Sequence, residues 1–278
     1  MSTESQVDVG LGGRVVLVTG GARGVGAGIT RVLASLGARP VICGRHPDSI
    51  PDDLAAHLFI SCDVRDDTAV AAMIERILGE LGRLDGVVNN AGGSPFALAA
   101  DASARFTSKI VDLNLLAPLA VARHANAVMQ QQDGGGAIVN VSSVSGHRPS
   151  PGTSAYGAAK AGLDNLMGSL AVEWAPRVRV NSVVAGPVET EQAHLHYGDD
   201  AGIAAVGATI PMGRMATPVD VGNAVAFLLS PLAGYITGST LTVHGGGERP
   251  AFLDAATVNS DTAHNAASSD TVGTGVSA

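Results

Sequence analysis

The chain has 278 residues, of which 46% are apolar, 15% are charged and only 3% are aromatic. This composition supports one large core built mainly from aliphatic side chains. The formal net charge is −8 and no basic stripe occurs, which argues against a duplex-binding domain, so no nucleic-acid partner is expected. No apolar run reaches the roughly 18 residues of a membrane span, so no membrane partner is expected.

The two cysteines, Cys43 and Cys62, form neither a metal-spaced pair nor a disulfide framework. No metal site is therefore expected. The first thirteen residues are polar and acidic, and they lack the basic and then apolar order of a secretory signal. These features favour a reducing, cytoplasmic location.

Short β-branched runs alternate with longer stretches of helical periodicity along most of the chain. A break is expected near Pro118 in the helix that precedes the fifth strand. In chain order, the predicted elements are strand 14–19, helix 24–36, strand 39–43, strand 58–60, helix 68–81, strand 85–89, helix 106–129, strand 137–142, helix 154–174, strand 177–183, helix 219–229 and strand 239–243.

Strands that alternate with helices favour parallel pairing through helical crossovers. The sequence therefore predicts an α/β fold with a doubly wound parallel sheet of about seven strands and helices on both faces. One domain is expected over residues 14–253. Ligands in such sheets bind beyond the carboxyl ends of the strands, and the motifs described below all fall there.

Three segments depart from this pattern. Residues 1–13 are expected to be a flexible N-terminus, and residues 254–278 a poorly ordered low-complexity tail of Ala, Ser, Thr and Gly. Residues 189–214 are rich in Ala, Gly and His, have weak periodicity and are long for a loop. We interpret this third segment as a mobile substrate lid.

A glycine-rich turn, Thr-Gly-Gly-Ala-Arg-Gly-Val-Gly, occupies residues 19–26 between the first strand and the first helix. Glycines permit a tight turn, and the backbone N–H groups at a helix amino end bind phosphate oxygens. The alternative is a plain turn without a ligand, but the strand before it and the helix after it favour dinucleotide binding. The residues predicted to contact the cofactor here are Gly20, Arg23, Gly24, Val25 and Gly26.

The spacing of this turn and several later motifs resemble the short-chain dehydrogenase/reductase family, including its 3-oxoacyl-thioester reductase-like members. The resemblance extends from about residue 14 to 247 and implies a Rossmann fold and a nicotinamide dinucleotide cofactor. The matching motifs are Asp63-Val64, Asn89-Asn90-Ala91-Gly92, Asn114, Ser143, Tyr156-x-x-x-Lys160 and residues 181–190.

The resemblance also implies further cofactor contacts. Asp63 would lie near the adenine amino group, and Val188 and Thr190 near the nicotinamide carboxamide. One departure is Ala185-Gly186, where relatives usually have Pro-Gly. The implied set is Asp63, Val64, Asn90, Ala91, Gly92, Tyr156, Lys160, Val188 and Thr190.

The residues after the second strand bear on the choice between NADP and NAD. An acidic residue there binds a ribose 2′-hydroxyl, whereas an arginine accommodates a 2′-phosphate. Gly44 stands where NAD-using relatives carry Asp, and Arg45 follows it, with Arg23 as a second cation. Guanidinium groups pair bidentately with phosphate, so NADP is predicted, with NAD as the alternative.

Tyr156 and Lys160 are four residues apart on one predicted helix and therefore share a face. We expect the ammonium to lower the pKa of the phenol from its usual value of about 10, which suits general acid–base catalysis. The Ser143 hydroxyl would stabilise charge on the substrate oxygen. By resemblance, Asn114 interrupts a helix and holds a water that relays protons to Lys160.

The predicted function is hydride transfer between NADP(H) and a carbonyl or secondary alcohol, such as a 3-oxoacyl thioester or a steroid-like ketone. The alternatives are an NAD-dependent, hydroxysteroid-type alcohol dehydrogenase and a dinucleotide-sensing protein without turnover. The resemblance implies a homodimer or homotetramer that pairs through the helices of Asn114 and Tyr156. His194 and His196 lie in the expected lid and could touch the substrate, but exposure is favoured for both. His147 is weighed as a pocket residue, with a position outside the pocket favoured.

Overall fold

The structure is a computed structural model that describes residues 8–47 and 50–256. Seven parallel strands form one sheet in the order β3-β2-β1-β4-β5-β6-β7. The strands are β1 Val15–Thr19, β2 Arg39–Gly44, β3 Leu58–Ser61, β4 Gly86–Asn89, β5 Gly136–Ser143, β6 Val178–Ala185 and β7 Thr240–Val243.

Helices cover both faces of this sheet, so the predicted doubly wound α/β fold is confirmed. Every predicted strand and helix is present, and its ends lie within two residues of the expected positions. The helices are α1 Gly24–Ser35, α2 Asp67–Leu81, α3 Ala104–Val111, α4 Ala117–Met129, α5 Ser154–Trp174, α6 His194–Tyr197, α7 Asp200–Ala208, α8 Pro218–Leu229 and α9 Ala251–Ala255.

The two faces of the sheet carry separate hydrophobic cores. Val15 and Leu17 of β1 point into the core formed with α2, α4 and α5, whereas Val16 and Val18 point into the core formed with α1 and α8. This alternation follows from the two-residue period of a strand. Burial on both sides explains why the strands are almost continuously apolar.

The helix break lies earlier than expected. Asp112–Leu116 forms a π-helical turn between α3 and α4, and Pro118 lies just beyond it in the first turn of α4. The helix is continuous through this turn, so Pro118, which has no N–H, cannot donate the helical hydrogen bond to the preceding turn. The Asn114 side chain donates a hydrogen bond of 2.9 Å to the Ile110 carbonyl within the widened turn. The break near Pro118 is therefore corrected to residues 112–116.

The terminal and lid segments differ in part from the expectations. Leu11 is fully buried in the core beside α1, so the packed part of the chain begins before residue 14, the expected boundary. The predicted lid, residues 189–214, contains α6, which has only four residues, and α7, whose Ala and Gly residues give no apolar stripe from which to predict a helix. Most of the predicted tail, residues 257–278, lies outside the described residues.

None of the helices within residues 8–47 and 50–256 combines the length and the apolar character that a membrane crossing requires.

Candidate active site

A crevice of about 700 Å³ lies at the carboxyl edge of the sheet, where parallel-sheet proteins place their ligands. The crevice is lined by residues that are far apart in sequence and that follow the ends of β1, β2, β3, β4, β5 and β6. The predicted site residues that line it are Gly20, Arg23, Gly24, Val25, Arg45, Asp63, Val64, Asn90, Ala91, Gly92, Ser143, Tyr156, Lys160, Val188 and Thr190.

Two predicted site residues, Gly26 and Asn114, are not in this lining. A Cβ atom on Gly26 would lie 2.1 Å from the Gly20 carbonyl oxygen, so only glycine lets α1 approach the turn so closely. Gly26 therefore shapes the turn instead of facing a ligand. Asn114 is fully buried behind the crevice wall.

The Asn114 side chain holds the backbone of the crevice wall after β4. Its Oδ1 accepts a hydrogen bond from the Gly93 N–H at 2.9 Å, and its Nδ2 donates to the Gly93 carbonyl at 3.0 Å. A Cβ on Gly92 would lie 2.7 Å from Asn114 Oδ1 and 3.6 Å from Lys160 Nζ. The π-helical turn thus brings Asn114 next to Gly92 and Lys160.

The glycine turn presents backbone N–H groups at the amino end of α1. Gly20 and Gly24 adopt positive φ angles of 66° and 50°, a region that L side chains rarely occupy. The Gly24 N–H donates a 2.8 Å hydrogen bond to the carboxylate of Glu191. An anionic oxygen therefore already occupies a position at this helix end, as expected for an amino terminus with unpaired donors.

Two cations and one ion pair surround the end of the crevice near β2 and β3. Within the part of the chain that the structure describes, the guanidinium groups of Arg23 and Arg45 form no ion pair with a carboxylate. The Asp63 carboxylate instead pairs with Arg65 at 2.5 Å. That hydrogen-bonded pair lowers the pKa of Asp63 to about 2. Two arginines that line the crevice, Arg23 and Arg45, thus remain available for an anionic ligand.

Tyr156, Lys160 and Ser143 meet on the crevice floor. Ser143 and Tyr156 both line the crevice, and the Ser143 hydroxyl acts to lower the pKa of the Tyr156 phenol. Lys160 Nζ lies 5.6 Å from the centroid of the Tyr156 ring. The Lys160 ammonium is 3% exposed and donates a 2.7 Å hydrogen bond to the Val141 carbonyl of β5. A phenol, an ammonium and a hydroxyl from two elements therefore converge on one crevice.

The pKa values of these groups depend mainly on burial. Desolvation raises the pKa of Tyr156, and the hydrogen bond from Ser143 opposes this only in part. Desolvation also lowers the pKa of Lys160 to about 8, against the opposing charge of Asp164. The expected lowering of the Tyr156 pKa is thus wrong, because burial is the largest effect and raises this pKa. At neutral pH the pair consists of a neutral phenol and a cationic ammonium.

Several residues in and beside the site were not predicted from the sequence. Gln192, His196 and Tyr197 line the crevice from the lid segment, and His196 is exposed there, as expected. His147 stays outside the lining and instead contacts Asp164. Gln192, His196 and Tyr197 belong to segment 189–214, which the sequence indicates as a substrate lid without assigning individual residues to the pocket.

A comparison with protein families matches residues 20–248 to the family described as enoyl-(acyl carrier protein) reductase. Cis-4-hydroxycyclohexanecarboxylate dehydrogenase of Sinomonas cyclohexanicum is 38% identical over 84% of this chain and 96% of that protein. The 3-oxoacyl-(acyl-carrier-protein) reductase of Chlamydia muridarum is 34% identical over 84% of this chain and 96% of that protein.

One similar protein is much longer than this chain. An uncharacterized short-chain type dehydrogenase/reductase of Sinorhizobium fredii is 37% identical over 84% of this chain but only 43% of its own length. Among solved structures, the ligand-free aldohexose dehydrogenase of Thermoplasma acidophilum superposes with a TM-score of 0.79 at 31% identity. That superposition covers 85% of this chain and 94% of the other.

Fold, crevice and relatives agree with the resemblance seen in the sequence. The relatives act on alcohol, carbonyl or oxoacyl groups, as their names state. The chain belongs to the short-chain dehydrogenase/reductase family and is an NAD(P)-dependent oxidoreductase.

Proposed function

We propose that the protein reduces a ketone with NADPH, or oxidises the matching secondary alcohol with NADP, and that Tyr156 exchanges the proton. The observation that carries this proposal is the meeting of Tyr156, Lys160 and Ser143 on the floor of the crevice. Tyr156 would transfer the proton, Lys160 would stabilise the phenolate, and Ser143 would hydrogen-bond the substrate oxygen.

The residues at the crevice wall fit a dinucleotide. The Gly24 N–H already binds a carboxylate, so it can bind a phosphate oxygen. Asp63 and Val64 would border the adenine, Asn90, Ala91 and Gly92 the middle of the cofactor, and Val188 and Thr190 the nicotinamide end. When bound, the nicotinamide supplies or accepts the hydride, and this chemistry belongs to the cofactor.

Tyr156 is the proposed proton donor in the reductive direction. Because burial raises its pKa, Tyr156 is a neutral phenol at neutral pH and can give its Oη proton to the substrate oxygen as that oxygen gains charge. The Ser143 hydroxyl would donate a hydrogen bond to the same oxygen. The cationic Lys160 stabilises the phenolate that remains. In the oxidative direction the same phenolate would accept the proton.

Asn114 has two proposed tasks. Its hydrogen bonds to Gly93 fix the wall segment that would contact the cofactor. Its place beside Gly92 and Lys160 is compatible with the water relay that the family resemblance implies. Through that relay Lys160 and then Tyr156 would recover a proton from solvent.

Arg45 and Arg23 favour NADP over NAD in this proposal. Both line the crevice, and within the described residues neither forms a salt bridge with a carboxylate. Gly44 offers no acidic side chain to a ribose 2′-hydroxyl. A 2′-phosphate would pair with the guanidinium of Arg45. NAD with an alcohol substrate stays the second candidate.

The proposed substrate is a ketone on a largely apolar body, either a 3-oxoacyl thioester or a ring ketone. The names of two relatives support these classes, since one reduces an oxoacyl group and the other oxidises a ring alcohol. The lid segment, residues 189–214, would close over this substrate. Tyr197 of this segment and Leu113 of the crevice wall contribute apolar surface to the crevice.

We also propose a homodimer or homotetramer formed through the helices that carry Asn114 and Tyr156. Leu116 is 50% exposed and Val172, on α5, is 82% exposed. Apolar side chains at such positions would be covered by a second copy. Sedimentation would test this assembly.

Replacing Arg45 with Ala should reduce kcat/KM for NADPH about ten- to a hundredfold, because a charge-assisted phosphate contact is lost. The value for NADH should change by less than about threefold, since NADH lacks that phosphate. Steady-state kinetics with both cofactors measures this. Arg76→Ala, at an exposed arginine of α2, is the control. A clear preference of the unaltered protein for NAD would contradict the prediction.

Replacing Glu191 with Gln should tighten cofactor binding about three- to tenfold. The Glu191 carboxylate holds the Gly24 N–H and would repel phosphate oxygens at the same helix end. The neutral amide of glutamine would compete less strongly with a phosphate oxygen for the Gly24 N–H. Calorimetric titration gives the Kd, and Glu189→Gln, an exposed position in the same segment, serves as control. Weaker binding in Glu191→Gln would show that the carboxylate assists the cofactor.

Replacing Tyr156 with Phe should lower kcat at least about a hundredfold, because the proton donor is removed. The cofactor Kd should stay within about twofold, since the ring remains in place. Turnover is followed by nicotinamide absorbance and binding by calorimetry. Tyr235→Phe, at a fully exposed tyrosine, should have no effect. A largely active Tyr156→Phe enzyme would refute the proposed role.

A further inference from the structure

A buried carboxylate lies directly behind the catalytic floor. Asp164 follows Lys160 by four residues on α5, and its side chain is 9% exposed. Its Oδ2 accepts a 2.7 Å hydrogen bond from the Ser142 hydroxyl and lies 2.9 Å from His147 Nε2. Its Oδ1 is buried and has no hydrogen-bond partner within the described part of the chain. The mechanism proposed above makes no use of this group.

The two partners of Asp164 flank the segment that carries Ser143. Ser142 precedes Ser143 on β5, and His147 follows the short 3₁₀ turn Val144–Gly146. Ser143 begins this turn, and its Oγ accepts a hydrogen bond from the Ser145 N–H at 3.2 Å. A single carboxylate oxygen therefore contacts both ends of the turn that positions the catalytic hydroxyl.

The backbone of this turn packs directly against helix α5. A Cβ on Gly146 would lie 2.8 Å from the Ala161 nitrogen, and a Cβ on Gly157 would lie 2.6 Å from the Ser145 carbonyl oxygen. Glycine at both positions lets the turn and the helix touch without side chains between them. At this separation a small shift of the turn changes the distance from Ser143 to Tyr156 directly.

We propose that Asp164 is a positioning residue that holds Ser143 against Tyr156 by fixing Ser142 and His147 to helix α5. The proposal rests on the roles proposed above for Ser143 and Tyr156. Asp164 touches neither substrate nor cofactor, and it acts through its two hydrogen-bond partners. His147 donates from Nε2 in this arrangement, either as the neutral Nε2–H tautomer or as the imidazolium.

The chemistry of the group supports a role beyond packing. A carboxylate that is taken from water costs free energy, and an apolar side chain of similar size would fill the space at less cost. The negative charge of Asp164 also raises the pKa of Lys160, against the effect of burial. The same group thus aligns the hydroxyl and favours the cationic form of the ammonium.

Asp164→Ala tests the proposal because it removes the acceptor for both partners. In the full-length enzyme, kcat should fall about ten- to a hundredfold, as expected for a misplaced catalytic group. The Kd of NADPH should stay within about twofold. Hydrogen exchange at the backbone N–H groups of Ser145 and His147 should become faster, since the turn is released. Both N–H groups are bonded within the turn in the unaltered protein.

Asp164→Asn is the matched variant, because its amide oxygen can still accept both hydrogen bonds. Measured well on the acidic side of the Lys160 pKa, its kcat should stay within about threefold of the unaltered enzyme, and its hydrogen exchange should be unchanged. Glu173→Gln, at an exposed carboxylate on the same helix, should alter neither quantity. If Asp164→Ala does not fold, Ser142→Ala replaces it, with a fall in kcat of about three- to tenfold and faster exchange.

The proposal is overturned if exchange in the turn is unchanged in Asp164→Ala, or if exchange rises while kcat stays the same. Faster exchange, a lower kcat and an unchanged Kd together support it. The exchange result does not depend on which residues are catalytic. Failure of the Asp164 role is therefore distinguishable from failure of the proposed function, which an active Tyr156→Phe enzyme would reveal.

Discussion

The hydrogen bond from Lys160 to the Val141 carbonyl is the interaction on which the rest of the site depends. It joins helix α5 to strand β5 at 2.7 Å, and both partners are buried. A buried ammonium must be satisfied, so the bond fixes how far α5 lies along β5. Tyr156 lies one turn before Lys160, and Ser143 lies two residues after Val141. The bond therefore sets the separation of the phenol and the hydroxyl.

The parallel sheet brings the other residues of the site together around this junction. Each strand ends at the same edge, so residues separated by more than a hundred positions in sequence line one crevice. Asn89 on β4 bonds Asn140 on β5 at 2.9 Å and the Pro118 carbonyl at 3.1 Å. This buried contact ties the strands to the beginning of α4. It thereby stabilises the position of the π-helical turn that carries Asn114.

Much of this architecture could be predicted from the sequence. The β-branched, apolar runs at 14–19 and 137–142 are typical of short strands buried on both faces, and strands are found at both positions. The glycine turn and the Tyr156–Lys160 spacing pointed to residues that line the crevice. Local signals of this kind are strong because the chemistry requires particular residue types at fixed distances.

Other features depend on tertiary contacts and left no local signal. The π-helical turn at 112–116 depends on where Asn114 meets Gly93, which is not visible from helix periodicity. The contact of His147 with Asp164 depends on the fold of the turn between them. The predicted direction of the Tyr156 pKa shift was wrong, because the sequence shows the neighbouring charge but does not show the extent of burial.

The central claim is that a neutral phenol backed by a buried ammonium donates the proton during carbonyl reduction. The dependence of kcat for reduction on pH, at saturating NADPH, tests it most directly. Lys160 has a pKa of about 8 and is charged below that value. The account predicts a kcat that is constant on the acidic side of this pKa and declines as pH rises through it. A kcat that rises with pH across the same range would contradict the account.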